Sequence, residues 1–294
     1  MGANAGPRSV TNGMVLCLDA ANPNSNPWAH QASNLLNPWM NWTQGTDSTS
    51  GYSRNGSAGE QSRVLAFASS GQSSIGPSGD FVWATTPDST SGADGGWNSA
   101  YYNIDRSFRY RWSVWVQRPS SATGGTFYMG LNPAPIRNDN NSSQSNPYFT
   151  YPSQASLTEK QWYLVVAHCH EENYSGGRHP DSGWYELSST SNNVSSTNVL
   201  TKIPDKSFGN CGDQDVRFAS STTQTMHRTY HFYTTNTNSS LRFAYPRLDK
   251  CDGTEPSIGQ LATNAKLPLQ NVMATDSQPS HGTSAIGSLS SKWN

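Results

Sequence analysis

The residues best suited to chemistry in this sequence are those suited to holding a sugar. Trp97 and Asn98 follow Asp94, Gly95 and Gly96 in what reads as a loop, and the stretch 174–184 gathers Tyr174, Arg178, His179, Asp181 and Trp184. An aromatic face stacks on a sugar ring, while amides, guanidinium groups and short carboxylates read its hydroxyls. Trp97, Asn98, Tyr174, Arg178, His179, Asp181 and Trp184 are therefore the candidate carbohydrate-binding residues. A structural expectation competes with this one: both indoles close the ends of a hydrophobic core, and Asp181 caps a turn.

Catalytic groups are sparse. Glycoside hydrolysis needs two carboxylates facing one cleft, about 5–9 Å apart. Glutamates occur only at positions 60, 159, 171, 172, 186 and 255. The nearest substitute is Asp213 with Asp215, which share a face if 212–218 is a strand, and edge-strand carboxylates are the ordinary reading of such a pair. No catalytic residue is predicted. The glycines at 92, 95 and 96 are not followed by a helical pattern, which excludes a phosphate cradle.

Metal ligands are no better marked. His168 and His170 would share one strand face, as would His227 and His231, but zinc needs three or four groups to converge. Cys169 would face away from its histidine neighbours, so structural histidines are expected and no metal site is assigned. Calcium is the one cofactor left open, at Asp249 and Asp252 near Gly253, where a turn with side-chain caps is the competing reading. The cysteines, Cys17, Cys169, Cys211 and Cys251, form no CxxC and read as reduced, mostly buried thiols.

What must position these groups is a β scaffold. Ser, Thr and Asn make up about a third of the 294 residues and charged residues only 13%, while ten Trp and thirteen Tyr supply a core. A net charge of −1 implies no broad attraction to nucleic acid or an anionic membrane. No apolar run reaches transmembrane length and the first ten residues lack signal-peptide character, so synthesis in the cytosol as a soluble protein is expected.

Strand signals dominate. Residues 14–18 form a short apolar run, and 110–117 alternate with Tyr110, Trp112, Val114 and Val116 on one face. Residues 127–131 follow a Gly124–Gly125 turn and are expected to pair back on 110–117 as a hairpin. The strongest central strand is 161–169, and 226–233 with 241–245 read as a second hairpin. Weaker strands are expected at 62–68, 81–83, 183–187 and 214–218. Long polar loops fall at 41–60 and 138–146, and 258–294 reads as an extended C-terminal arm.

Several runs, in order, resemble a known family. The opening Asn12-Gly13-Met14-Val15-Leu16-Cys17-Leu18-Asp19-Ala20-Ala21-Asn22-Pro23 is similar to the start of concanavalin A-like (laminin-G-like) domains in phage structural proteins. Gly95-Gly96-Trp97-Asn98, Tyr110-Arg111-Trp112-Ser113-Val114-Trp115-Val116 and Gly125-Thr126-Phe127-Tyr128-Met129-Gly130-Leu131 continue the likeness. It runs on through Gln161-Trp162-Tyr163-Leu164-Val165-Val166-Ala167-His168, His179-Pro180-Asp181-Ser182-Gly183, His227-Arg228-Thr229-Tyr230 and Tyr245-Pro246-Arg247. Cys17 departs from the aromatic or aliphatic residue the family often carries there.

The resemblance implies an all-β, concanavalin A-like jelly-roll sandwich of two antiparallel sheets, a place on a virion, and frequent glycan contact. Glycosidases of that architecture usually carry a Glu-x-Asp-x-x-Glu or Glu-x-Asp-x-Glu set, which is absent here. The expected organisation is a lead at 1–11, a sandwich at 12–257 and the arm at 258–294. The expected function is a non-catalytic virion component, capsid decoration or tail-fibre-associated, binding host-surface or environmental glycans weakly and in many copies. Its expected partners are itself, as a homo-oligomer, and other virion proteins, without nucleic acid or membrane insertion. A purely architectural virion protein and a polysaccharide depolymerase of the same fold are the alternatives.

Overall fold

The computed structural model describes residues 34–36, 42, 45–65, 81–138, 140–189, 198–207 and 216–264. Its strands are β1 (Tyr52–Arg54), β2 (Gln61–Leu65), β3 (Phe81–Thr85), β4 (Ala93–Ser99), β5 (Tyr102–Asn103) and β6 (Tyr110–Gln117). They continue as β7 (Thr126–Asn132), β8 (Ile136–Arg137), β9 (Tyr148–Thr150), β10 (Trp162–Cys169) and β11 (Gly183–Ser189). The last are β12 (Asn198–Ile203), β13 (Val216–Arg217), β14 (Gln224–Phe232) and β15 (Arg242–Lys250), followed by helix α1 (Ile258–Asn264).

Two antiparallel sheets face each other. The larger runs β12-β11-β10-β6-β15-β3-β2, and the smaller β1-β4-β14-β7-β9 with β5 also on β14. Between them lies one apolar core, to which the smaller sheet contributes Trp97, Phe127, Met129, Leu131 and Phe149. Trp112, Val114, Val116, Val165, Trp184 and Phe243 come from the larger sheet. This is the all-β jelly-roll sandwich that the sequence implied.

The alternation in β6 is read out as expected: Tyr110, Trp112, Val114 and Val116 enter the inter-sheet core. Its opposite face is buried too. Trp115 joins Val82, Trp162, Leu164, Val166, Tyr185 and Ala244 in a second apolar layer, against which Leu261 and Ile258 of α1 pack. A strand covered on both faces reads as a nearly continuous hydrophobic run, which is what β10 shows. The first seven residues of the expected arm are thus helical and docked on the larger sheet; 265–294 lie outside the described residues.

Both expected hairpins are instead crossings between sheets. β6 pairs with β10 and β15, whereas β7 pairs with β14 and β9. Likewise β14 sits in the smaller sheet and β15 in the larger. The reason is burial: β6 needs cover on both faces, while β7 sends Phe127, Met129 and Leu131 into the core and turns Tyr128 and Asn132 outward. Gly125, at φ +76°, makes the first crossing tight, since a Cβ there would stand 2.6 Å from His231 Nε2. The expected strand at 214–218 is two residues long, and 12–22, Asp213, Asp215, Cys17 and Cys211 lie outside the described residues.

Candidate functional site

Trp97 lies in the middle of β4, not in a loop. Gly95 and Gly96, at φ +119° and +113°, disguise a strand as a turn. A Cβ at Gly96 would meet the Thr229 carbonyl oxygen at 2.2 Å, so only glycine lets β4 approach β14 here. The indole is 0% exposed, with ring centroids of Trp42, Tyr52 and His227 at 6.1, 5.1 and 4.9 Å. Trp184 is equally 0% exposed; it packs on Phe127 and Tyr163, and its Nε1 donates to Thr150 Oγ1 at 3.2 Å. Neither indole presents a face to a ligand, and both belong to the core. Asn98 does point outward from β4, where its Oδ1 accepts the Tyr230 hydroxyl.

The stretch 174–184 forms a surface patch whose groups are largely engaged with one another. The Tyr174 ring lies on His170 at 3.7 Å, and His179 tilts over His168 at 3.9 Å. Arg178 is tied to Asp205 at 2.6 Å and to the Ser182 carbonyl at 2.8 Å. The Asp181 backbone donates to His179 Nδ1, while the residue itself stays exposed. Burial lowers the pKa of all three histidines, His170 to about 3; the neighbouring Arg109 charge lowers each further, and Arg111 does so for His168 and His179. Neutral rings beside two guanidiniums repel a cation, and among the described residues no three liganding atoms of this patch converge. His227 and His231 do share the inner face of β14, but each serves a separate hydrogen bond, to the Ser113 and Gly124 carbonyls.

A larger surface was not singled out in the sequence. β14 turns Thr225, His227, Thr229 and His231 inward, so that Arg228, Tyr230 and Phe232 point outward. Across the sheet Tyr128 stands opposite Tyr230, and Tyr148 opposite Gly130. A Cβ on Gly130 would strike the Tyr148 ring at 2.7 Å, so the glycine lets that ring lie over the strand. The result is one aromatic face. Ring centroids step from Tyr151 to Tyr128 at 5.8 Å, to Tyr148 at 4.8 Å and to Tyr230 at 6.0 Å. They continue to Phe232 at 5.2 Å and to Tyr233 at 5.3 Å.

Tyr233 is 60% exposed and Tyr101 46%, the two most exposed large apolar side chains among the described residues. Polar groups are interleaved. The Tyr101 hydroxyl accepts from Asn132 Nδ2, and Arg228 lies beside Tyr148 with its Nε buried and unpartnered. No carboxylate pairs with Arg228 among the described residues. Burial raises the pKa of Tyr128, Tyr148 and Tyr230, so these phenols are neutral hydrogen-bonding groups at physiological pH.

The carboxylates weighed for calcium are engaged within the fold. Asp249 is held by Arg111 at 2.8 Å and Arg247 at 2.7 Å; burial alone would raise its pKa, but the two guanidiniums hold it below the usual carboxylate value. Asp252 Oδ1 accepts the Thr254 backbone and hydroxyl, at 3.1 and 2.6 Å. Of the two residues at which calcium was left open, Asp249 thus belongs to a buried ion triad and Asp252 caps a turn, the competing reading of that stretch. Glu60 comes together with Asp88 and Asp94, two acids of a later segment.

No family model matches the sequence, and no curated protein is a significant match. Solved structures give remote likenesses. One is the CBM22-1–GH10 modules of endo-1,4-β-D-xylanase 10B from Clostridium thermocellum in complex with xylohexaose. It is 10% identical with a TM-score of 0.33, covering 73% of this chain, and the chain spans 28% of its length. A xylan-binding domain of CBM22 is 12% identical over 71% of this chain and 93% of its own, with a TM-score of 0.30. Alginate lyase vAL-1 from Chlorella virus is 11% identical over 68% and 93%, also with a TM-score of 0.30. Likenesses this slight carry neither a ligand nor an activity to this chain.

Proposed function

We propose that this protein is a non-catalytic glycan-binding β-sandwich whose binding surface is the outer face of the smaller sheet. The observation that carries the reading is the aromatic face from Tyr151 to Tyr233. Six rings in succession are interleaved with Asn98, Asn132 and Arg228 and stand on a rigid sheet. Aromatic rings supply flat apolar area for the C–H faces of sugars, and the amides and phenols supply directed hydrogen bonds. Arg228, which pairs with no carboxylate among the described residues, suits a carboxylated or sulfated sugar. The resemblance to phage structural domains suggests display in many copies on a particle, where avidity raises the strength of individually weak sites.

The test is size-exclusion chromatography of the purified protein with labelled bacterial surface polysaccharide, for the unmodified chain and for Tyr233→Ala and Tyr101→Ala. Both side chains are exposed, so the variants keep the fold. Co-elution with intact polymer, weakened about 3- to 10-fold by each variant, is the expected result. Shortened polymer would reveal a depolymerase. No co-elution, or co-elution indifferent to both variants, refutes the reading and leaves an architectural role.

A further inference from the structure

We infer that Glu60, Asp88 and Asp94 form a binding site for a divalent cation of the calcium class. One carboxylate oxygen from each lies within 4.8 Å of the others. Oxygens bound to one Ca²⁺ at about 2.3–2.6 Å stand at most about 5 Å apart, so a single ion reaches all three.

The second observation is Asp94 itself. The residue is 0% exposed. Its Oδ2 accepts the Thr234 backbone N–H at 2.9 Å, and its Oδ1 is buried with no hydrogen-bond partner. A buried carboxylate oxygen without a donor is costly unless a cation or proton meets it.

The surroundings offer no internal counter-charge. Among the described residues none of the three acids makes a salt bridge. Asp94 faces only the two other acids across this cluster and meets no cationic side chain among the described residues. A fourth hard oxygen stands close by. At Gly56, φ +84°, a Cβ would meet Glu60 Oε2 at 2.5 Å and the Ala93 carbonyl oxygen at 2.9 Å, so the glycine lets carboxylate and carbonyl crowd together. Glu60 is held from behind, its Oε2 accepting the Ser57 N–H. Asp88 is exposed and gives the ion an approach from solvent.

The inference is independent of the glycan reading, yet the two surfaces touch. Asp94 holds Thr234, and the Gly92 carbonyl accepts the Tyr233 N–H at 2.8 Å. An ion here braces the turn that carries the most exposed ring of the aromatic face.

Isothermal titration of the EDTA-treated protein with CaCl₂ tests the site, with Asp88→Asn and Asp252→Asn as variants. Asp88 Oδ1 accepts the Thr90 N–H, which asparagine preserves, so Asp88→Asn leaves the turn intact. The unmodified chain is expected to bind one Ca²⁺ per molecule in the micromolar to millimolar range and to melt at a higher temperature with Ca²⁺ than with EDTA. Asp88→Asn should weaken binding at least tenfold, and Asp252→Asn should leave it unchanged. Absence of binding at millimolar Ca²⁺, full binding by Asp88→Asn, or loss of binding in Asp252→Asn overturns the assignment.

Discussion

Acid should unfold this protein well above the range in which its carboxylates titrate, because four histidines are locked neutral inside it. His227 is pushed down to about 3 and His231 to about 4, in both cases by burial in the inter-sheet core. His231 Nε2 faces the Gly124 carbonyl, which only accepts, so that nitrogen carries the proton and Nδ1 is left to face Thr85 Oγ1. In the larger sheet His170 is lowered to about 3 and His168 well below its usual value, again chiefly by burial. The unfolded chain takes up these protons near pH 6.5 and the folded chain does not, so stability rises with pH across this window and is lost as pH falls through it. At pH 5 each of His170, His227 and His231 costs about 2 kcal/mol, a figure set by the unfolded pKa and insensitive to how far the folded value lies below 5, and His168 acts in the same direction. Asp94 acts in the opposite sense: raised to about 6, it takes up a proton in the folded state first and returns about 1 kcal/mol. The net loss from pH 7 to pH 5 is about 5 kcal/mol from these three histidines and Asp94, with His168 adding to it, comparable with the whole stability of an ordinary domain. Urea denaturation followed by tryptophan fluorescence at the two pH values measures it. A loss below about 1 kcal/mol, or imidazole NMR signals of these histidines titrating near pH 6.5 in the folded protein, would refute the reasoning.

Two substitutions probe the core directly. Gly96→Ala sets a Cβ against the Thr229 carbonyl at 2.2 Å and strains φ +113°, and should destabilise by about 3 kcal/mol or more in urea melts. Trp184→Ala should cost about 3–5 kcal/mol by opening a cavity beside Phe127 and Tyr163. Any fraction that remains folded should bind polysaccharide as the unmodified chain does; selective loss of binding in a fully stable protein would return Trp184 to the ligand surface.

The larger sheet was legible because its residues obey simple rules. The alternation of Trp112, Val114 and Val116, and the run Trp162 to Val166, name central strands without help from the rest of the chain. Strand partners were not legible. Gly124–Gly125 promises a hairpin locally, and only the need of β6 for cover on both faces sends β7 to the other sheet. The site was hidden by an inversion. β14 turns His227, Thr229 and His231 into the core and sends Tyr230 and Phe232 to the outer face, where Tyr230 lies largely covered by its neighbours, the reverse of what hydrophobicity assigns to a half-buried strand. Trp97 misled for the complementary reason: its two glycines look like a loop and are the close contact of a central strand. The acidic trio joins Glu60 to Asp88 and Asp94 of a later segment, with no spacing signature for a sequence reading to find.

Strand order also sets when the molecule can form. β14 is the middle strand of the smaller sheet, between β4 and β7, and β15 lies between β6 and β3 in the larger. Both are among the last strands in the chain, beginning at Gln224 and Arg242. Until they emerge from the ribosome, each sheet exists only as halves with open edges and no partner. At about 5–20 residues per second the nascent chain spends roughly 10–45 s in that condition. The edges left open meanwhile are those of β4 and β7, which await β14, while the outer edges β1 and β9 are only three residues long. Assembly is then a single late event, and a chain that stops before β14 is an unpaired set of strands, with no smaller sandwich to fall back on.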